Sequence, residues 1–384
     1  MKKTFAALAV LAALGSSAYA ADVQLYGRAD LGLRYTNVDR DLPGVDDQST
    51  FEMASGNKTG SRFGLKGTED LGNGYTVGFV LENGFAADSG SFDSNGSRMF
   101  GREATVQVKG PFGTLAMGRT AIMTSDSGSF GIGAGFSALG TGWGDVGGQN
   151  AVWGAGFSTR YDNMVTYVTP EFMGTSVYAQ YSFGDASKGE EGKASTDRYY
   201  GIGINSNIGN LNLVGVVDSV NRASNGDDAT NDKDVWRVVV GGSYDFGVVK
   251  PYLAAAYFKD GAITDVASMY TYSTEAEAYA GGLKWNYDGW AVMLGASAPL
   301  AGGTLYGTAG YMSAEYQDDG QGNSAGQNDI DRWMVGVGYE YPLSKRTVVY
   351  VDAGYTQDSV DASGSAYDSD PRAVQAAFGM VHYF

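Results

Sequence analysis

Residues 23–35 alternate strictly. Val23, Leu25, Gly27, Ala29, Leu31, Leu33 and Tyr35 fall on one face, and Gln24, Tyr26, Arg28, Asp30, Gly32 and Arg34 on the other. Period-2 alternation of this length predicts a strand with one apolar and one polar face. The pattern then recurs in pairs joined by short turns. Residues 62–68 and 75–85 flank a turn at 70–74, 100–109 and 114–119 flank 110–113, and 160–168 and 175–183 flank 169–174. Four more pairs follow: 199–205 with 211–219, 236–244 with 249–258, 290–297 with 304–316, and 332–341 with 347–355. With the first strand and a last one at 373–384, the reading gives sixteen strands. Between pairs lie long polar loops at 37–59, 86–98, 120–158, 184–197, 220–234, 260–289, 317–331 and 356–372.

Short turns at one end and long loops at the other predict a transmembrane β-barrel rather than a soluble sandwich. An even strand number closes the sheet and leaves no unpaired edge, as hydrocarbon requires. At this strand number the interior is a water-filled channel, so the polar phase faces inward. Tyr35, Tyr75, Tyr181, Trp236, Tyr244, Trp290, Tyr341 and Tyr355 fall near strand ends, where an interfacial girdle belongs. Two stretches fit less well. Residues 275–287 alternate weakly and either extend a strand or form a hairpin inside the sixth loop. In 100–109, Arg102 shares the apolar phase with Ala104, Val106 and Val108, opposite Glu103, Thr105 and Gln107. Either a bulge resets the phase there or the outer face meets a neighbouring subunit.

The third loop, 120–158, is the exceptional stretch. It holds eleven glycines, no Lys or Arg, and two charges, Asp126 and Asp145. Ile122, Phe130, Phe136, Leu139, Trp143, Trp153 and Phe157 make it too apolar for a solvated tail, and its glycines make it too weak for a helix. A loop this long in a compact domain is usually functional. The inside of a wide barrel is one place that would shelter it.

Composition narrows the class further. Lys2 and Lys3, the apolar run 5–14 and Ala18-Tyr19-Ala20 read as a secretory signal peptide over 1–20, leaving the barrel as 21–384. There is no cysteine, so disulfides and thiolate metal sites are excluded, and no cofactor or metal is expected. A net charge of −17 argues against nucleic acid as a partner. The acid concentrates in loops, around Asp39–Asp47, Asp227–Asp234 and Asp318–Asp331. Solubilised loops explain this, as does divalent-cation bridging at a lipopolysaccharide surface. His382, the one histidine, lies on the terminal strand, which leaves a barrel enzyme without a positioned general base. No catalytic residue is expected. The Gly-rich runs at 131–135 and 201–203 lead into no helix and are not phosphate loops.

Specific blocks carry a family resemblance. Residues 61–72 (SRFGLKGTEDLG) resemble a block of Gram-negative general porins, in the beta-proteobacterial, neisserial and burkholderial branch. Leu25-Tyr26-Gly27, Phe100-Gly101-Arg102, Phe112-Gly113-Thr114-Leu115, Gly118-Arg119 and Arg160-Tyr161-Asp162-Asn163 are similar to that branch as well. So are the turn at 339–347 (YEYPLSKRT) and the terminal 379–384 (GMVHYF). The resemblance spans the whole chain after the leader. It implies a sixteen-stranded antiparallel barrel in the outer membrane, a homotrimer, with the third loop folded into the pore. It also implies passive diffusion of small hydrophilic solutes and ions.

By resemblance, Arg62, Arg102 and Arg160 match a basic cluster on the wall facing the third loop. Arg28 and Lys66, with Arg237 and Arg332, share the polar phase of their strands, with Glu82 on the wall and Asp126 and Asp145 across from it. Opposed charges across a narrow gap orient dipolar solutes and reject apolar ones. The same arginines would equally serve to anchor the loop. Near charges outweigh loop charges that water screens beyond about 8–10 Å, so a weak anion preference is expected. Phe384 is expected to be the signal read by the outer-membrane assembly machinery. An adhesin or surface antigen acting through the acidic loops is the alternative.

Overall fold

The computed structural model describes residues 23–41, 43–44, 46–92, 98–140, 159–184, 196–222, 233–264, 266, 283–317, 329–361 and 368–384. The strands are β1 (Gln24–Asp39), β2 (Gln48–Ser55), β3 (Arg62–Gly72), β4 (Tyr75–Gly84), β5 (Glu103–Gly110), β6 (Gly113–Ala121), β7 (Arg160–Val168), β8 (Thr175–Ser182) and β9 (Arg198–Ile208). They continue as β10 (Leu211–Asn221), β11 (Val235–Tyr244), β12 (Lys250–Thr264), β13 (Leu283–Leu300), β14 (Gly303–Tyr316), β15 (Asp329–Ser344), β16 (Thr347–Asp361) and β17 (Arg372–Tyr383). Chain neighbours pair antiparallel except β2 with β3, and β17 pairs with β1 from Tyr383 opposite Arg28 to Arg372 opposite Asp39. The upper half of β1 pairs with β2 and its lower half with β3. These two segments therefore share one place in the wall, and the closed barrel has sixteen strand positions.

The expected external loop at 37–59 is corrected by this pairing. β1 runs on to Asp39, and β2 fills Gln48–Ser55, turning Phe51 and Met53 outward. Of the stretch 275–287, residues 283–287 extend β13 and 275–282 lie outside the described residues; β12 runs to Thr264, so the sixth loop is shorter than 260–289. β5 starts at Glu103, not at 100. Glu103 and Thr105 are buried and Val106 is exposed, so the inner face of β5 is the polar phase. Arg102 lies in the bend just before the strand, which frees it from the strand's alternation.

Local chemistry explains the turns and the seam. Asn73 and Gly74, both at positive φ (54° and 80°), close the β3–β4 hairpin in two residues, the conformation a right-twisted hairpin needs. At the seam, Gly27 and Phe384 exchange both backbone hydrogen bonds, and a Cβ on Gly27 would lie 2.4 Å from the Phe384 ring. Only glycine lets that ring lie across β1.

Long apolar side chains project outward, as on β9, where Tyr200, Ile202 and Ile204 are exposed while Tyr199 is fully buried. Aromatic pairs from neighbouring strands ring the outside. Trp236 meets Tyr257, Trp290 meets Tyr311 and Trp333 meets Tyr355, with ring centroids 5.5, 5.5 and 4.8 Å apart. Such pairs stiffen a sheet as well as anchoring it at an interface.

Candidate functional site: the charged inner wall and the third loop

β6 runs to Ala121, so the third loop begins at 122 rather than 120, and its described half, 122–140, runs along the inner face of the wall. Met123 lies against Gly201 and Gly203 of β9, and Gly135 lies against Asn212 and Val214 of β10. Phe136 shares one buried cluster with Val214, Val239 and Ala254, and Leu139 another with Tyr350 and Val381. Apolar loop residues thus meet small wall residues, and the wall glycines are where the loop seats. Polar staples complete the contact. Glu103 of β5 accepts from the Ser129 N–H at 3.0 Å, Arg160 of β7 donates to the Ser127 hydroxyl at 3.4 Å, and Arg237 of β11 donates to the Thr124 hydroxyl at 2.8 Å.

Apart from Arg160, which tethers the third loop at Ser127, the expected site residues fall into three groups. Arg62 and Arg102 meet on one carboxylate, Glu82, at 3.6 and 2.8 Å. Both guanidinium groups converge on Gly60, where an added Cβ would lie 3.0 Å from Arg102 Nη1 and 3.7 Å from Arg62 Nη2. Glu82 also accepts from the Tyr26 hydroxyl at 3.0 Å. Arg28 and Lys66 form the wetter group. Arg28 donates to Thr59 at 3.2 Å and lies over the Tyr383 ring, and Lys66 lies over the Tyr26 ring. The third group is on the loop. Asp126 is half-buried, its carboxylate set against Gly140, and Asp145 lies outside the described residues.

On β10–β11 and β15–β16 the described arginines are matched one to one. Arg237 makes a two-point contact with Asp218 (3.1 and 2.8 Å), and Arg332 makes one with Asp358 (2.5 and 2.7 Å), all four side chains being nearly buried.

Several residues escaped the sequence reading. Arg98 and Arg119 converge on Asp162, at 2.8 and 2.7 Å, a second carboxylate shared by two arginines. Asp30 of β1 is fully buried and accepts from the N–H groups of Lys58 and Thr59 and from the Tyr350 hydroxyl. Asp30 was visible as an inward residue of strand one, but nothing in its spacing named those partners.

A closed antiparallel barrel with an apolar outside, a charged inside and a loop laid along its inner wall is a membrane channel. The chain belongs to the Gram-negative porin family, which it matches over residues 7–361. It is 33% identical to an outer membrane porin protein of Bordetella pertussis, over 100% of both chains. It is 32% identical to outer membrane porin protein 32 of Delftia acidovorans, over 94% of this chain and 91% of that one. Among solved structures, the anion-selective porin from Comamonas acidovorans has the same fold, with a TM-score of 0.66 and 24% identity over 95% of this chain and 100% of that one. The protein is therefore an outer-membrane porin, a channel and not an enzyme.

Proposed function

We propose that this porin passes small hydrophilic solutes and ions with a weak preference for anions. The observation that carries the reading is the sharing of Glu82 by Arg62 and Arg102. Two guanidinium groups on one carboxylate leave a local excess of one positive charge. Arg28, Arg160 and Lys66 add to it, and Glu103, Asp126 and Asp145 oppose it. In a narrow path the nearest charges dominate, since water and salt screen the acidic outer loops within about 10 Å. The selectivity stated for the Comamonas porin points the same way.

The working assembly in this reading is a homotrimer in lipid and lipopolysaccharide. The leader 1–20 is removed, and Phe384 is the signal for the assembly machinery. A Vibrio cholerae outer-membrane protein of the same fold has a solved structure in a trimer form, which supports the trimer. In planar bilayers across a salt gradient, the wild type should open in steps of three, with a zero-current potential of anion sign. Arg62→Gln should move that potential toward zero. A cation-sign potential for the wild type would overturn the anion reading, and an absence of channels would favour the adhesin alternative. Deleting Phe384 should lower the yield of assembled trimer, and an unchanged yield would remove its role as signal.

A further inference from the structure

A second segment enters the lumen beside the same arginines. Between Ser55 and Arg62 the partner of β1 advances seven residues while β1 itself advances three, from Leu31 to Arg28. Four residues therefore leave the sheet. They turn inward, because their anchor is Asp30 on the inner face. Asp30 Oδ2 accepts from the N–H groups of Lys58 and Thr59 at 2.8 and 2.7 Å, and its carbonyl accepts from Gly56 N–H at 3.0 Å. Gly56 makes the turn at a φ of 77°. The Thr59 hydroxyl lies 3.2 Å from Arg28 and 3.4 Å from Arg62, so the excursion sits over the basic wall.

Its reach is long. The Lys58 ammonium pairs with Glu340 of β15, which lies three strands from β1, past β17 and β16. Glu340 is held in turn by the Tyr306 hydroxyl at 2.6 Å. Tyr350 of β16 lies under this span. Its hydroxyl donates to Asp30 Oδ1 at 2.6 Å, and it shares one buried cluster with Leu139 of the third loop and Val381.

We propose that residues 56–61 are a second constriction element, and that the Lys58–Glu340 ion pair is a crossbar that closes one side of the lumen and helps set its charge preference. Asp30 is the positioning residue, fixing the backbone on either side of Lys58. The crossbar takes no ligand of its own. It narrows the path for hydrated ions and small solutes and offers them one cation and one anion at a fixed place. This inference needs only an open channel, and it is independent of the sign of the wild-type preference.

The test is single-channel conductance and zero-current potential of Lys58→Met and Glu340→Ala in planar bilayers. Both variants unlink the crossbar, so both should raise conductance. Lys58→Met leaves the carboxylate and should move the anion-to-cation permeability ratio about twofold toward cations, while Glu340→Ala leaves the ammonium and should move it about twofold toward anions. Opposite shifts measured against the wild type, whatever its own sign, would establish the crossbar. Unchanged conductance in both, or potentials moving in the same direction, would overturn it. Both side chains keep some exposure to water, 12% for Lys58 and 21% for Glu340, so neither substitution empties a sealed core.

Discussion

The inner wall uses the same two residue types in opposite ways on its two sides. Along β3–β7, one carboxylate serves two arginines twice over, Glu82 with Arg62 and Arg102, and Asp162 with Arg98 and Arg119. Along β10–β11 and β15–β16, each arginine has its own aspartate on the neighbouring strand, in a two-point contact. A matched pair in a nearly sealed place projects little field, because its charges cancel within a few ångströms. An unmatched set projects a net charge. The first arrangement suits selection and the second suits holding a wide barrel and its loop in shape. The difference lies in the count of carboxylates, not in the arginines.

The largest effect should follow from breaking a matched pair. Asp218→Ala leaves Arg237 buried without the carboxylate that binds it at two points. Removing one partner of a buried pair typically costs about 3–5 kcal/mol, because a desolvated charge loses its compensation. Denaturant unfolding of the refolded barrel measures this. Replacing both residues with apolar ones of similar volume, Asp218→Leu with Arg237→Met, should recover most of the loss. A double variant no better than the single would show that Arg237 is needed for its bond to Thr124 instead.

The second effect belongs to the unmatched side. Glu82→Gln keeps a side chain that accepts from Arg102 and Tyr26 but removes the one charge that Arg62 and Arg102 share. Stability should fall by about 1–3 kcal/mol, the range for a weakened buried polar contact. The anion-to-cation permeability ratio should rise several-fold in the zero-current measurement. The neutral double variant, Asp218→Leu with Arg237→Met, by contrast, should leave that ratio near the wild-type value. If both variants shift it equally, the two sides do not divide the work as argued.

Ionic strength offers a milder way to sharpen the same contrast. Screening lengths fall from about 10 Å at 0.1 M salt to about 3 Å at 1 M. The preference contributed by the unmatched arginines should weaken steadily over that range. The unfolding free energy held by the matched pairs should change little, because water and ions do not reach them. A selectivity indifferent to salt would place its source in contacts closer than a screening length, with the crossbar as the first candidate.

Much of this was legible in the chain, for a simple reason. A barrel wall repeats every second residue, so the strand count, the inward phase of Arg28, Arg62, Lys66 and Glu82, and the turn residues Asn73 and Gly74 all follow from local pattern. Arg102 was named by resemblance alone, and its place was not legible from alternation, because it lies one residue before its strand begins. The excursion at 56–61 was hidden for a different reason. Its Gly-Asn-Lys-Thr-Gly-Ser sequence reads as the end of an external loop, and only the register against β1 shows the wall continuing on both sides. The pairing of Lys58 with Glu340 spans most of the chain, and no local pattern could announce it.

The smallest effect tests the link between the two sides. Arg237 is matched to Asp218, yet its Nη2 also donates to Thr124 on the third loop at 2.8 Å. The matched pair thus holds the loop that faces the unmatched wall. Thr124→Val keeps the shape and removes that acceptor, at a cost of about 1 kcal/mol, the typical worth of a single hydrogen bond. Asp218 still neutralises Arg237, so the charge preference should stay at the wild-type value. What should change is the steadiness of the open current, because Met123 and Phe136 would keep the loop seated while its polar tether is gone. Increased open-channel noise at unchanged zero-current potential would show that this arginine restrains the loop without selecting ions. A shifted potential with quiet current would instead mean that Arg237 reaches the ion path, and the division between the two sides would fail at this residue.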